Sequence, residues 1–405
     1  MVAGHVLPDL KLTQDEERAI VREIKGILAE TIHVEDSFRQ GSAAANTKMW
    51  KEVKARDDFR VYKERKPNSA IGRPKSNGGS VSMSRSASTN SSGSNSIWSI
   101  GSSDNDVGIV ASVKDPQLPM IVADGYIEGV VDDVLFGALA GDEISWRMRS
   151  TYMKDRFADA KILATIVEPT QEDPYRYMGV KWFSREYPPL IAPFLQPRDY
   201  LVMEASGTAR DPNGQEYGYY LIHPFRHRSL PDFSEFGIHR AQASLVYICR
   251  QATSDRVTIF GRGFVDPKGG LLRSLSVTLM AEAITNASNV VETAYAKKLG
   301  YFMTREQSRH THLQEKTTGV CACSRKTGRR STLTPCRACG EGICSRCTVQ
   351  RKLIVDMTAT DVTESSLPFC FSCVLYAKQH PPRDIAIATV VRPTAQRHVP
   401  TIVRL

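Results

Sequence analysis

The chain has 405 residues, 41% of them hydrophobic and 24% charged, an ordinary globular composition with length for two or three domains. No apolar run reaches the roughly 18–20 residues that would cross a bilayer, and the opening MVAGHVLPDLKLTQDEE lacks the basic-then-apolar order of a secretory signal, so a cytoplasmic protein is expected. The net charge of +9 is concentrated between 302 and 352, where eleven Lys or Arg face three Glu, a surplus of eight that suits an acidic partner.

The first predicted element is a helix. Thr13 and Glu16 have capping-box spacing, and Ile20, Ile24, Ile27, Leu28 and Thr31 follow at helical intervals. WKEVKARDDFRVYKERK, from Trp50, carries Phe59, Val61 and Lys63 in alternation and predicts one early strand. Between Ser76 and Ser103 there are thirteen serines in 28 residues. Such a stretch cannot bury enough apolar surface to offset its ordering entropy, so residues 68–106 are expected to be a disordered insertion.

Beyond Pro119, IVADGYIEG predicts a strand, followed by a short helix with Val131, Leu135 and Leu139 on one face and another over 145–157. Strand-like segments follow at 161–168, 175–187, 200–205, 216–224, 243–251 and 256–265, separated by turn signals such as Asp211-Pro-Asn-Gly214. Short links between successive strands imply an antiparallel sheet. Asp266-Pro-Lys-Gly-Gly270 then opens one long helix with Leu272, Leu275, Leu279, Ala283, Ala287, Val290 and Ala294 on its apolar face, and Gly300 is the expected stop. The order predicts an α+β unit, a strongly bent antiparallel sheet closed around one helix.

Trp50 with DDFRVYKER, the run Pro197-Arg-Asp-Tyr-Leu201, Asp266-Pro-Lys-Gly269 and the long helix after it resemble the START lipid-binding family, whose fold is the helix-grip. The resemblance covers 11–300, interrupted by the serine-rich insertion. It implies a lipid or sterol-like molecule held in a tunnel between the sheet and the terminal helix, a place where apolar pockets commonly form. Arg149, Glu204 and Arg226 would either meet a ligand's polar head there or, as expected for most charges, face water or pair with one another. Arg198 and Asp199 are expected to form a structural salt bridge. His223, His227 and His239 are the candidate bases of a rival enzymatic reading. No nucleophile or carboxylate stands at a telling spacing from them, and His223 and His227 sit beside turn-like residues typical of the surface. A non-enzymatic function is expected.

Of nine cysteines, Cys249 stands alone in SLVYICRQ and is expected to be a core thiol. The others form four pairs: Cys321/Cys323, Cys336/Cys339, Cys344/Cys347 and Cys370/Cys373. Three have the CxxC spacing that grips a tetrahedral zinc, and a CxC in extended chain turns both sulfurs to one side. Eight thiolates satisfy two four-coordinate zinc ions.

CRACGEGICSRC, at Cys336–Cys347, resembles the centre of a FYVE-type finger, over 317–378. That resemblance implies a cross-brace, with Cys321, Cys323, Cys344 and Cys347 on one zinc and Cys336, Cys339, Cys370 and Cys373 on the other. It also implies docking on an acidic membrane or a phosphoinositide through Arg329, Arg330 and Arg337, with peripheral placement on endosomal membranes. Here the histidine-rich basic run that precedes the family's CysArg pair is replaced by Ser331-Thr-Leu-Thr-Pro335, so weak, salt-sensitive attraction is expected rather than headgroup-specific binding. A finger that docks protein partners, as a scaffold or a RING-like ubiquitin ligase, is the alternative. No aromatic-interleaved basic stripe supports nucleic acid. Residues 379–405 are expected to be a flexible tail.

Overall fold

The computed structural model of the chain describes residues 7–41, 47–65, 108–155, 157–185, 196–269, 273–310, 321, 323, 333–358 and 362–391. The serine-rich insertion, Arg329, Arg330 and the end of the tail lie outside the described residues.

Helix α1 runs Gln14–Gln40 behind the expected capping box: Glu16 N–H donates to Thr13 Oγ1 at 3.3 Å, and Thr13 N–H donates to Glu16 Oε2 at 2.8 Å. Replacing Thr13 by Ala removes half of this exchange. The expected result is a loss of about 1 kcal/mol in urea unfolding with an unchanged m-value.

WKEVKARDDFRVYKERK folds as a hairpin rather than one strand, β1 (Trp50–Arg56) and β2 (Phe59–Glu64), turning at Asp57 with φ 51°. After a single helical turn, α2 (Ile109–Ser112), come β3 (Ile121–Glu128), α3 (Val131–Ala138) and α4 (Glu143–Met153). Six strands follow: β4 (Phe157–Val167), β5 (Tyr177–Arg185), β6 (Arg198–Arg210), β7 (Glu216–Pro224), β8 (His239–Gln251) and β9 (Arg256–Asp266). The nine form one sheet in the order β1-β2-β3-β9-β8-β7-β6-β5-β4. Every neighbouring pair is antiparallel, and β6 also makes a short parallel contact with β8 at Arg198–Tyr200, a meeting that requires the sheet to curl.

Period-two alternation gives this sheet two buried faces. On one, Val180, Trp182, Leu201, Met203, Leu221, Val246 and Ile248 pack against Ile20, Ile24 and Ile27 of α1. On the other, Phe59, Val61, Ala123 and Ile259 pack against Met280, Ala281 and Ile284 of α5 (Arg273–Asn286). A helix lying across a curled antiparallel sheet is the helix-grip arrangement, and the chain adopts it.

The terminal helix differs from expectation. A 3₁₀ turn at Ala287–Asn289 separates α5 from α6 (Val290–His310), and α6 runs through Gly300 instead of stopping there. Leu299 and Met303, on either side of that glycine, are buried against the finger, and this packing outweighs the glycine's weak helix propensity. The finger comprises β10 (Thr334–Pro335) paired with β11 (Gly342–Ile343), the hairpin β12 (Thr348–Met357) with β13 (Val362–Cys370), and α7 (Phe371–Gln379).

The expected flexible tail is corrected in its first part. Helix α8 (Pro382–Ala386) and the turn Ile387–Val391 bury Ile385, Ala386 and Val390 against Leu135, Tyr175 and Tyr177. Apolar residues in the tail, with Arg383 Nη2 donating to the carbonyls of Gln171 and Glu172 at 2.9 and 2.8 Å, anchor it to the sheet domain.

Candidate functional site

The concave side of the sheet, beneath α3, α4 and α5, combines two properties. Phe183, Ile222, Leu245, Tyr247 and Val265 point to this side, and all five are only half-buried. At the same time burial pushes the phenols of Tyr220 and Tyr247 well above their usual range. A half-buried apolar face lying beneath helices is a sheltered concavity rather than an open outer surface.

A closed polar cluster forms one wall. Glu204 of β6 accepts from Arg149 of α4 at 3.2 Å, from Lys181 of β5 at 2.7 Å and from the Tyr220 hydroxyl at 3.1 Å. Arg149 Nη1 also donates to Ala138 O at 2.9 Å, and Lys181 Nζ to Ala140 O at 2.7 Å. All three charged groups are buried. Burial drags Lys181 down to about 8 against the pull of Glu204. For Glu204 burial acts upward, but Arg149 and Lys181 outweigh it and hold the carboxylate below its ordinary range. Of the three charges named from sequence, Arg149 and Glu204 pair with each other. Arg226 lies apart, at the end of β7, lining a separate pocket of about 450 Å³ with His227 and Arg240. Lys181 was not singled out, and its only signal is a lone cation inside the apolar run MGVKWF.

Other sequence expectations are redistributed. Arg198 and Asp199 are not a salt bridge, because neighbours on a strand face opposite ways. Arg198 donates to the carbonyls of Pro267 (2.7 Å) and Lys268 (3.2 Å), while Asp199 pairs with Arg240 and accepts from Trp182 Nε1 at 2.7 Å. His223 is buried, not at the surface. Its Nδ1 meets Ser244 Oγ at 2.9 Å, and desolvation pulls it down to about 4, so it is neutral at pH 7. His227 stacks on Phe225, 6.3 Å between centroids, and His239 contacts Gln196. The three histidines share no single site. Cys249 is buried, its thiol pushed up to about 12 by burial.

The eight remaining cysteines fall into two groups. Cys321, Cys323, Cys344 and Cys347 form one, and Cys336, Cys339, Cys370 and Cys373 the other, with all four sulfurs of each within 4.8 Å of one another. The pairs therefore interleave. Local turns aim the sulfurs: Gly340 takes φ 74° and its N–H donates to Cys336 O at 2.9 Å, which bends the Cys336–Cys339 knuckle. Backbone N–H groups of Cys344 and Cys370 donate to the sulfurs of Cys321 and Cys336, both at 3.2 Å, which helps fix the sulfurs' positions. Sulfurs around one tetrahedral ion at Zn–S of about 2.3 Å stand about 3.8 Å apart, and Cys339 Sγ to Cys370 Sγ is 3.9 Å. Four soft donors without a carboxylate suit a thiophilic metal rather than calcium or magnesium. Each group can thus hold a metal ion. Arg337 sits inside the second knuckle, its N–H donating to Pro368 O at 3.0 Å.

The finger and the sheet domain meet through two consecutive lysines of α6. Lys297 Nζ donates to the carbonyls of Phe136, Gly137 and Leu139 at 2.9–3.1 Å, closing the end of α3. Lys298 Nζ pairs with buried Asp133 at 2.9 Å and donates to Lys378 O and His380 O at 2.8 and 3.0 Å, closing the end of α7. Helices α3 and α6 approach closely enough for this because Gly137 has no Cβ, which would lie 2.0 Å from Val290 O.

No known protein family matches the chain, and no curated protein matches it. Solved structures do. Human StAR-related lipid transfer protein 5 is 12% identical over 67% of this chain and 97% of its own, with a TM-score of 0.41. Human STARD10 is 11% identical over 75% of this chain and 86% of its own, at 0.37. The lipid transfer and protein localization domain of human StarD13 is 10% identical over 70% and 98%, at 0.36. The helix-grip assignment rests on this chain's own strand order and helix placement. Among the described residues no helix is long and apolar enough to cross a membrane.

Proposed function

We propose that this chain is a non-enzymatic lipid-binding protein that holds one apolar molecule against the concave face of its sheet, followed by a finger built on two zinc ions. The observation that carries the reading is the concave apolar face beneath the helices, where Phe183, Ile222, Leu245, Tyr247 and Val265 are only half-buried. Such a space is where a lipid tail gains most by leaving water. In this reading the Arg149–Glu204–Lys181 cluster is a fixed polar end that orients the ligand, and the lipid domain spans 11–300 with α6 continuing beyond it. The cysteine donor set supports zinc as the ion in each sulfur group, and the finger at 317–378 supplies weak docking on acidic membranes.

Native mass spectrometry of the purified chain tests the cavity. One co-purified or exchangeable apolar lipid per chain is expected, and Ile222→Trp, which places an indole in the hollow, should abolish it with little change in melting temperature. A wild-type chain that neither retains nor exchanges any lipid would remove this function and leave the sheet domain a scaffold.

A further inference from the structure

A further cavity lies between the two halves of the molecule. It encloses about 1040 Å³ between α4 and α6 on one side and β12, β13 and α7 of the finger on the other. Five basic side chains and three acidic ones line it. Two of the acids are spent, Glu364 on Lys352 at 2.7 Å and Glu292 on Arg351 at 3.9 Å. Arg147, Lys154 and Lys378 then stand against Asp155 alone.

The three surplus cations are held in ways that leave their charge unspent. The Arg147 guanidinium lies over the Phe157 ring at 5.7 Å and the Lys378 ammonium over the Tyr295 ring at 4.8 Å, contacts that position a cation without neutralising it. Lys154 has no ion pair among the described residues. Arg147 and Ser150 stand about one turn apart on α4, and Lys154, at φ 60°, is the left-handed residue that caps its end. Ser150 is an independent sign of a missing partner: the residue is 4% exposed, it lines this cavity, and its hydroxyl has no hydrogen-bond partner. Buried hydroxyls are rarely left in that state.

We infer that this cleft is a binding site for a phosphorylated polyol, a compact multivalent anion with hydroxyl groups, gripped by Arg147, Ser150 and Lys154 from the sheet domain and by Lys378 from the finger. Charge and size point to several phosphates rather than one carboxylate. The aromatic faces of Phe157 and Tyr295 are already occupied by cations, which leaves no platform for a nucleobase. The same chemistry is offered by a free inositol phosphate and by the headgroup of a phosphorylated inositol lipid. Because the walls come from both halves, an occupied cleft would hold the finger against the sheet domain. The site is separate from the lipid hollow and from the basic residues beside the cysteines.

The test uses the zinc-loaded full chain in about 0.15 M salt, where distant surface charges are screened. Calorimetric titration with inositol hexakisphosphate is one arm, and co-sedimentation with phosphatidylcholine vesicles with and without phosphatidylinositol phosphates is the other. Saturable binding at one site per chain is expected in at least one arm. The calorimetric arm alone would assign the free polyol, and the vesicle arm alone the lipid headgroup. R147A/K154A, which removes two charge-assisted contacts, should weaken that binding roughly tenfold or more, and Ser150→Ala should weaken it less. A charge-matched control on the far side of α1, R22A/K25A, should change nothing. Absence of saturable binding in both arms overturns the proposal. So does binding that R147A/K154A leaves intact, or that the control weakens equally.

Discussion

Stripping metal from the purified chain with a strong chelator is expected to unfold the finger and to lower the melting temperature of the sheet domain with it. Four sulfurs within 4.8 Å of one another, eight in all, are a favourable arrangement only around ions. The finger's two small hairpins and one short helix have little other core, and structural zinc in such units carries roughly 10–16 kcal/mol of apparent binding energy. A self-contained finger would melt alone. Here Leu299 and Met303 of α6 are buried among Ile343, Leu353, Phe369 and Val374 of the finger, and Lys298 ties Asp133 of α3 to the end of α7. Losing the finger exposes that face of α6 and strips the Lys298–Asp133 pair of the Lys378 and His380 carbonyls. Metal analysis should give two zinc ions per chain. Cys339→Ser and Cys344→Ser should each lose one, from different groups. A metal content near zero from reducing, metal-replete preparations would end the zinc reading. An unshifted melting temperature for the sheet domain after chelation would show that the α6 contacts contribute little.

Glu204→Gln is expected to be the most damaging single substitution in the sheet domain, costing roughly 3–5 kcal/mol in denaturant unfolding. The glutamate balances two cations, Arg149 and Lys181, that make no other ion pair among the described residues. Glutamine keeps the shape and some hydrogen bonding but leaves both charges buried and uncompensated. The pH dependence distinguishes this from a packing defect. In the native chain Lys181 is drawn down to about 8 from 10.5, so between those values the unfolded chain holds a proton that the folded one has released. Stability from this group therefore rises with pH across that window. Without Glu204 the folded lysine gives up its proton at still lower pH, so the variant should recover part of its loss on moving from neutral to alkaline buffer. Replacing the set together, Glu204→Leu with Arg149→Leu and Lys181→Met, should be far less costly than Glu204→Gln alone. A single substitution that proves neutral would mean the cluster is wetter than its burial implies.

The sequence was most legible where one local pattern decides the structure. Helix α1 could be read from Thr13, Glu16 and its isoleucines, and the two sulfur groups from cysteine spacing, with the interleaving suggested only by resemblance. Strands β5 to β9 carried enough β-branched and aromatic residues to stand out. Strand β1 did not, because as the sheet's outermost strand it is largely exposed and has no apolar alternation to show. The continuation of α6 through Gly300 was hidden for a different reason. Its cause lies in residues of the finger some fifty positions onward, and no window around Gly300 contains them. Buried Lys181 and Lys298 and half-buried Lys297 were equally hard to foresee, since lysine is among the residues least often enclosed and only the converging carbonyls and carboxylates explain them.

Helix α6 also bears on how such a chain can change over generations. One of its faces serves the core shared with α3, and another serves the finger, so a substitution on it must satisfy two sets of neighbours at once. Lys297 and Lys298 fix both ends of that arrangement within two adjacent codons. A recombination point placed at residue 317, where the finger's boundary falls when read from its cysteines, would part the finger from the wall it packs on. The smallest heritable cassette that carries an intact finger therefore begins at Val290, and it brings with it part of the sheet domain's own core.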